Sequence, residues 1–390
     1  MTDTAGEYFK PAPSGDERVM PIELILDVVF VLAYSQCTAY MVDRGSWLGI
    51  GDGLIVLALL WRGWVGFSWF TSALDSNSTV VRLTIFTGMG AFVMMALSIP
   101  RAFGDLAYSF VAAYAVIRLM HMGLGLLTSR RDEQFRTTVS RTAIGGVVAV
   151  ALLGLGAFID GPGGYLCWAL AVVADYAIAA TFSQFGWRLN AGHFAERHGL
   201  IIIIALGESI LAIGVGAEVA DISARTLMLS LTGVVLVACM WGTYFDGTDT
   251  AAEHALVRTP RGIKQNTLAR RAYSLLHFPL VVADVLVALG LKSAIAHPDH
   301  PFEPHVTAAL FGGLALYLIT HVAFGYTATK VLNRPRLAVG LLMAALIPLG
   351  TVIPAWAALV LATAILAVLV AAQRLRRRAQ PVADCVGGSL

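Results

Sequence analysis

The chain alternates long apolar segments with short segments that contain Pro, Gly and charged residues. Each apolar segment has about 18 to 24 residues, the length that an α-helix needs to cross roughly 30 Å of hydrocarbon. The pattern therefore predicts an all-α polytopic membrane bundle of about twelve transmembrane helices. Only Ile353-Pro354 separates the last two segments, so they are either two spans or one bent element. The predicted spans are 22–41, 50–72, 80–99, 104–127, 142–160, 164–185, 199–217, 226–246, 271–292, 304–328, 337–353 and 355–373.

Composition favours a membrane location over a soluble one. Hydrophobic residues make up 57% of the chain and charged residues 13%, whereas a soluble chain carries about 25% charged residues. A soluble protein of this size needs polar side chains over most of its surface. The outer surface of this fold is therefore expected to contact lipid.

The positive charges predict the orientation. Most of the 27 Lys and Arg residues fall in the N-terminal tail 1–21, in alternate loops and in the C-terminal tail 374–390. The loops on the other side hold only Arg44, Arg101, Arg225 and Lys292. Because positively charged loops stay in the cytoplasm, both termini are expected there.

Residues in the two halves of the chain resemble each other in the same order. The pairs are Trp64 with Trp241, Asn77 with Asn266, His121 with His321, and Trp168 with Trp356. They predict a six-plus-six repeat, 22–185 and 199–373, joined by the cytoplasmic connection 186–198. Parallel halves with a binding site between them are a known transporter plan. The alternative is that aromatic and charged residues simply collect at membrane interfaces.

Ionisable side chains interrupt several predicted spans. Glu208 and Ser209 stand in the middle of the otherwise apolar GLIIIIALGESILAIG, residues 199–214. A charge at the centre of a span costs about 2.5 to 3.5 kcal/mol on insertion scales, so it needs a partner, a water-filled cavity or a function. The candidates for substrate binding or proton coupling are Glu208, Ser209, Glu23, Asp27, Arg118, His121, His277, Asp284, Asp246 and His321.

Two interpretations of these side chains remain open. They are either structural ion pairs between helices or the lining of a shared polar cavity that opens inward. In the second interpretation Glu208 is a protonation site, while Asp27, Arg118, His121 and His277 line the cavity. Burial and neighbouring charges can tune Glu and His for that purpose.

The sequence predicts no resident metal and no cofactor. The loop HPDHPFEPH, residues 297–305, and HFAERH, residues 193–198, gather histidines and acids, but neither has a known metal-ligand spacing. No nucleotide-binding motif is present in a credible context. The four cysteines also lack a metal-ligand spacing; they are Cys37, Cys167, Cys239 and Cys385.

Five segments resemble the bacterial low temperature requirement protein A (LtrA) family. They are ELILDVVFVLA, WVGFSWFTSALD, VVRL, ERHGLIIIIALGESILAIG and YSLLHFPLVVADVLVALG, in the family's order over residues 18–370. His198 departs from the pattern, because an aromatic residue is expected there. The resemblance implies a multi-pass protein of the bacterial plasma membrane. The family takes its name from growth in the cold, and the resemblance implies no mechanism.

Three functions fit these observations. The leading hypothesis is a secondary transporter of a small solute, coupled to protons or another ion. The second is a membrane-embedded enzyme that acts on a lipid or an apolar metabolite, with the same groups as general acids and bases. The third is a non-catalytic membrane factor in envelope or cold adaptation. The expected partners are membrane lipids, the solute and the coupling ion, with no nucleic acid; the substrate, direction and oligomeric state stay open.

Overall fold

A computed structural model of the chain describes residues 19–74, 78–129, 133–182, 186–220 and 222–379. The regular structure in these ranges is helical, and an isolated β-bridge joins Pro301 to Pro354. The all-α membrane fold predicted from the apolar pattern is thus confirmed. The part of the chain that the structure describes contains 11 helices that are long and apolar enough to cross a membrane.

The first half contains six long helices. Pro21 starts α1, and the Ser46 side chain caps α2 by accepting from the Gly49 backbone N–H. A short 3₁₀ turn, Ile99–Arg101, follows α3. The helices are α1 Pro21–Arg44, α2 Trp47–Thr71, α3 Thr79–Ser98, α4 Ala107–Thr128, α5 Glu133–Phe158 and α6 Pro162–Phe182.

The second half is less regular. Two π-helical turns, Ala269–Leu275 and Ala308–Gly312, interrupt its helices, and a 3₁₀ turn, Ile347–Thr351, follows α14. Such π turns are frequent at functional sites. The helices are α7 Ala191–Val219, α8 Ala224–Phe245, α9 Thr248–Arg258, α10 Ile263–Leu268, α11 His277–Ala296, α12 Pro304–Thr307, α13 Gly313–Thr329, α14 Arg334–Ala345 and α15 Ala355–Ala379.

The eleventh predicted span, 337–353, is built from α14 and its 3₁₀ turn. Gly340 packs against Ile319 in the middle of α13. Beyond α14, the Thr307 hydroxyl at the start of the same transmembrane segment donates to the Ile347 carbonyl over 2.8 Å. The segment therefore runs antiparallel to α12 and α13, and it is not among the 11 helices that are long and apolar enough to cross a membrane.

The last two predicted spans are two antiparallel elements. The backbone N–H of Ala355 donates to the His300 carbonyl, which places the start of α15 beside the loop before α12. Near its other end, Gln373 accepts from the Arg336 guanidinium over 2.9 Å. The chain therefore reverses direction at Ile353-Pro354, and a single bent element does not fit these contacts.

The centre of the bundle is α11, which packs against α1, α7, α13 and α15. It approaches α7 closely at Gly216, where a Cβ atom would lie 2.8 Å from the Lys292 carbonyl oxygen. The outer surface is apolar, as a lipid-facing surface requires. More than half of the side chain is exposed at Leu83, Phe86, Val147, Val173, Met228 and Leu231.

The six-plus-six repeat stays a prediction. Two of its residue pairs lie in different surroundings, since Trp168 is buried and Trp356 is 41% exposed, and Trp64 is buried while Trp241 is 44% exposed. Asn77 lies outside the described residues.

Candidate functional site

One face of the bundle is called the basic side below, because it gathers positive charges. Helix α1 begins on this face, and α2 ends on it. Its basic residues include Arg258, Arg261, Lys264, Arg334 and Arg374.

Near the basic side, α1 and α7 are joined by two buried polar pairs. Arg197 Nη2 on α7 lies 2.5 Å from Asp27 Oδ1 on α1, and the Trp64 indole N–H donates to the same oxygen over 2.7 Å. One turn away, His193 Nε2 lies 2.8 Å from Glu23 Oε2. The predicted candidates Glu23 and Asp27 therefore have dedicated partners on α7.

Sequence reasoning missed the two partners on α7. His193 and Arg197 are four residues apart, as Glu23 and Asp27 are, so each pair occupies one face of its helix. The matching i,i+4 spacing of two acids and two basic groups was the signal that could have revealed them. It went unused because residues 193–198 were assigned to a loop.

A second cluster centres on Asp175 of α6, within the first half. Two guanidiniums contact the same carboxylate oxygen: Arg118 Nη2 at 3.1 Å and Arg62 Nε at 3.3 Å. The Tyr114 hydroxyl donates to the other carboxylate oxygen over 2.8 Å. One carboxylate thus faces two guanidiniums in the hydrocarbon region, and the cluster has an excess of positive charge.

A cavity of about 390 Å³ adjoins this cluster, between α2, α4, α5, α6 and the first π turn. Arg62, Arg118 and His121 line it, and Arg270 of the π turn lines it as well. The remaining walls are mostly apolar and aromatic, and they include Trp61, Trp69, Phe70, Tyr176 and Trp187. Its volume lies in the range of small-molecule sites, about 300 to 1,000 Å³.

His121 is buried in the cavity wall between the rings of Phe67 and Phe70. Neither of its ring nitrogens has a hydrogen-bond partner. The ring packs so closely against α2 that a Cβ atom on Gly66 would lie 2.2 Å from it. The unpaired imidazole is therefore held in place by packing rather than by hydrogen bonds.

A third cluster lies deeper in the membrane, between α1, α7 and α11. The Ser35 hydroxyl donates to the Glu208 carboxylate, and the Ser209 hydroxyl donates to the Asp284 backbone carbonyl over 3.3 Å. The Asp284 carboxyl is fully buried, and neither of its oxygens has a hydrogen-bond partner. The Tyr34 hydroxyl, which interacts electrostatically with Asp284, is also unpartnered.

A fourth cluster of aromatic and histidine rings lies toward the basic side of the second half. The Tyr244 hydroxyl donates to His277 Nε2 over 2.7 Å, and His277 Nδ1 donates to the Ala272 carbonyl of the π turn. His321 Nδ1 accepts from Arg336 Nη1 at 2.5 Å. Tyr244 contacts both histidine rings, so His277 and His321 belong to one packed cluster.

The remaining candidates lie near the surface. Asp246, at the end of α8, accepts from Arg374 Nε over 2.7 Å where both side chains are partly exposed. In the loop 297–303, a hydrogen bond from Arg225 holds the pKa of Asp299 below its usual value. Within the described ranges, no three His, Cys, Asp or Glu side chains lie close enough together to hold a metal ion.

The structure therefore distributes the predicted site residues over several places. Arg118 and His121 share the cavity, while Glu208, Ser209 and Asp284 share the deeper cluster. Asp27 and His277, which were expected to line the same cavity as Arg118, are absent from its lining. The physical reason is that Asp27 is bound to Arg197, and His277 to Tyr244.

Comparison with known proteins agrees with the resemblance seen in the sequence. The chain is 27% identical over 322 residues to a protein of Rhizobium meliloti (strain 1021) named Uncharacterized protein RA0937; the match covers 80% of this chain and 78% of that protein. No solved structure matches the fold. A sequence model of the bacterial low temperature requirement A protein (LtrA) matches residues 18–371, which is nearly the whole chain. This multi-pass membrane protein therefore belongs to the LtrA family.

Proposed function

We propose that the protein is a secondary transporter of a small solute in the bacterial plasma membrane. The observation that carries the proposal is the cavity of about 390 Å³ within the membrane-spanning region, with Arg62 and Arg118 in its wall. Charged side chains are rare at this depth and usually mark solute or ion pathways. The basic side faces the cytoplasm in this proposal, because it carries most of the Lys and Arg residues.

The deeper cluster supplies the coupling site in this proposal. Glu208 and Asp284 are buried carboxyls on adjacent helices, and Asp284 has no counter-charge among the residues that the structure describes. Such a carboxyl is stable in hydrocarbon only when it binds a proton or a cation. The gradient of that ion across the membrane would then drive the transport of the solute.

A continuous element links the two sites. Arg270, Ser274 and Leu275 of the π turn line the cavity, and α11, which carries Asp284, follows that turn directly. The Trp61 indole N–H on α2 donates to the Ser274 carbonyl over 2.9 Å, and the Trp69 indole N–H donates to the Ser274 hydroxyl. A change at the π turn would therefore reach both the cavity and α11.

The test uses purified protein in sealed vesicles with an imposed pH gradient. The vesicles are exposed to a uniformly ¹³C-labelled bacterial metabolite extract, and mass spectrometry then identifies labelled compounds in the lumen. The proposal predicts that at least one compound accumulates only when the protein and the gradient are both present. Lumen contents that are identical with and without the protein would contradict it.

A membrane-embedded enzyme is the second candidate, and the position of the cavity favours it. Leu119 and Val147 line the cavity and are also 59% and 62% exposed on the outer surface of the bundle. An apolar metabolite could therefore enter from the lipid and meet His121 as a general base. Purified protein in detergent would then convert a compound of the same extract into a new one, which a transporter does not do.

A further inference from the structure

We infer that the cavity binds an amphipathic anion: a carboxylate or phosphate group beside Arg62 and Arg118, with an apolar body against the aromatic wall. This inference names the substrate class for the transporter proposed above and rests on that proposal for its biological role. The binding itself can be measured without any transport.

The charge balance of the cavity favours a bound anion. Arg62 and Arg118 share a single carboxylate, that of Asp175, and Arg118 Nε lacks a hydrogen-bond partner. Arg270 adds a third guanidinium that has no acidic partner in the described ranges. Buried charges without a counter-ion are costly in a low-dielectric environment, so a bound anion would complete the site.

Local packing keeps the Arg118 guanidinium in the cavity wall. A Cβ atom on Gly146 of α5 would lie 2.7 Å from Arg118 Nε and 2.8 Å from Arg118 Nη2. Because Gly146 has no Cβ atom, the guanidinium can lie against α5 while it reaches Asp175. Guanidinium groups bind carboxylate and phosphate with two parallel N–H bonds, so this orientation suits both head groups.

The apolar body of the ligand follows from the rest of the lining. Aromatic rings of Trp69, Phe70 and Trp187 form one wall, and Val147 and Val150 on α5 form part of another. Leu119 and Val147 reach the lipid-facing surface, so an acyl chain can lie between α4 and α5 without leaving an apolar environment. A small hydrophilic anion such as sulfate would leave this wall uncovered.

Tryptophan fluorescence can measure the binding directly, since Trp61, Trp69 and Trp187 line the cavity. The probes are 11-bromoundecanoate and 11-bromoundecanol, whose bromine atoms quench nearby indoles, added to the full chain in nanodiscs of zwitterionic lipid. We expect the carboxylate to quench at concentrations at least about tenfold below those of the alcohol, because it alone pairs with the guanidiniums.

Three variants separate binding from partition into lipid. Arg118→Gln should remove the preference for the carboxylate over the alcohol. Ala143→Phe should remove saturable quenching, because the phenyl ring fills the cavity while the charged side chains stay unchanged. Arg225→Gln, which alters an exposed pair with Asp299, should bind as the original protein does. Equal quenching by the two probes, or unchanged saturable quenching in Ala143→Phe, would overturn the inference.

The same preparation distinguishes a lipid from a free acid as the source of the anionic group. If the natural ligand is an anionic phospholipid, native mass spectrometry of the protein as purified will show a bound lipid that Ala143→Phe lacks. If it is a free organic acid, no lipid will be retained, and the brominated acid will still bind. Saturable binding of the brominated acid without any uptake into vesicles would contradict the transporter proposal but not this inference. Uptake of a solute by a protein that binds the acid and the alcohol equally would contradict this inference but not the transporter proposal.

Discussion

Arg197 of α7 lies 2.5 Å from Asp27 of α1, and both side chains are completely buried in the membrane-spanning part of the fold. The Thr71 hydroxyl accepts from the other terminal nitrogen of the guanidinium over 2.7 Å, which fixes its orientation. This pair joins the first and second halves of the chain. Asp27, which the sequence made a candidate for the solute site, therefore has a structural role in this pair.

We predict that Asp27→Asn lowers the free energy of unfolding by about 3 to 5 kcal/mol, because it leaves a buried guanidinium without its counter-charge. The measurement is thermal unfolding of the purified protein in detergent. The matched control is Asp246→Asn, which breaks a partly exposed pair with Arg374 and should cost about 1 kcal/mol or less. Equal losses in the two variants would show that the buried pair has no special structural role.

We predict that Gly146→Ala weakens ligand binding in the cavity while the protein still folds. The added methyl group would lie 2.7 Å from Arg118 Nε, so the guanidinium must move away from Asp175, at a cost of about 1 to 3 kcal/mol. Gly154→Ala in the same helix is the control, since a Cβ atom there meets nothing within 4 Å. Quenching by 11-bromoundecanoate measures the affinity of each variant for the ligand. Indistinguishable affinities of Gly146→Ala and Gly154→Ala would refute the assigned position of Arg118.

We predict that Asp175→Asn destabilises the protein and makes it depend on an added anion. The change leaves Arg62 and Arg118 without their shared carboxylate, and an undecanoate ion can replace that charge. Undecanoate should therefore raise the midpoint of thermal unfolding more in Asp175→Asn than in the original protein. The same concentration of undecanol should raise the midpoint equally in the two proteins. Equal effects of the acid and the alcohol on the midpoint of Asp175→Asn would argue against an anion site.

We predict that Glu208→Gln abolishes transport while the protein stays folded in the membrane. The amide keeps the size of the side chain and its contact with Ser35, but it cannot bind and release a proton. Vesicle uptake and gel filtration measure function and folding in one preparation. Glu303→Gln, in an exposed loop, is the control. Uptake at the normal rate by Glu208→Gln would remove its role in coupling.

The sequence allowed the number and approximate position of most membrane passes to be predicted, because hydrophobicity and segment length determine insertion. The start of α7 was missed by eight residues: 199 was expected, and the helix begins at Ala191. The first two turns of α7 are polar, since they carry His193 and Arg197 for pairing with α1. Helix α9 was missed for a similar reason, as it buries only Ala252 and Leu256.

The candidate site was less predictable than the fold. Intramembrane charge selected Arg118, His121, Glu208 and Asp284, but it could not show which helix faces meet. The partner of Arg118 is Asp175, which comes 57 residues later in the chain, and the rotation of α4, α5 and α6 about their axes brings the two together. That rotation depends on packing details such as Gly146, which an apolar pattern does not encode.

Uptake by a cavity-filling variant tests the central claim most directly. The solute is the compound that accumulates in vesicles containing the original protein. Its initial rate of uptake is measured for the original protein, for Ala143→Phe and for Arg225→Gln. The vesicles contain equal amounts of protein, and thermal unfolding first shows that the three proteins are equally stable. The account predicts that Ala143→Phe reduces the rate at least about tenfold, while Arg225→Gln leaves it unchanged. Uptake by Ala143→Phe at the original rate would show that the solute does not pass through the cavity beside Arg62 and Arg118.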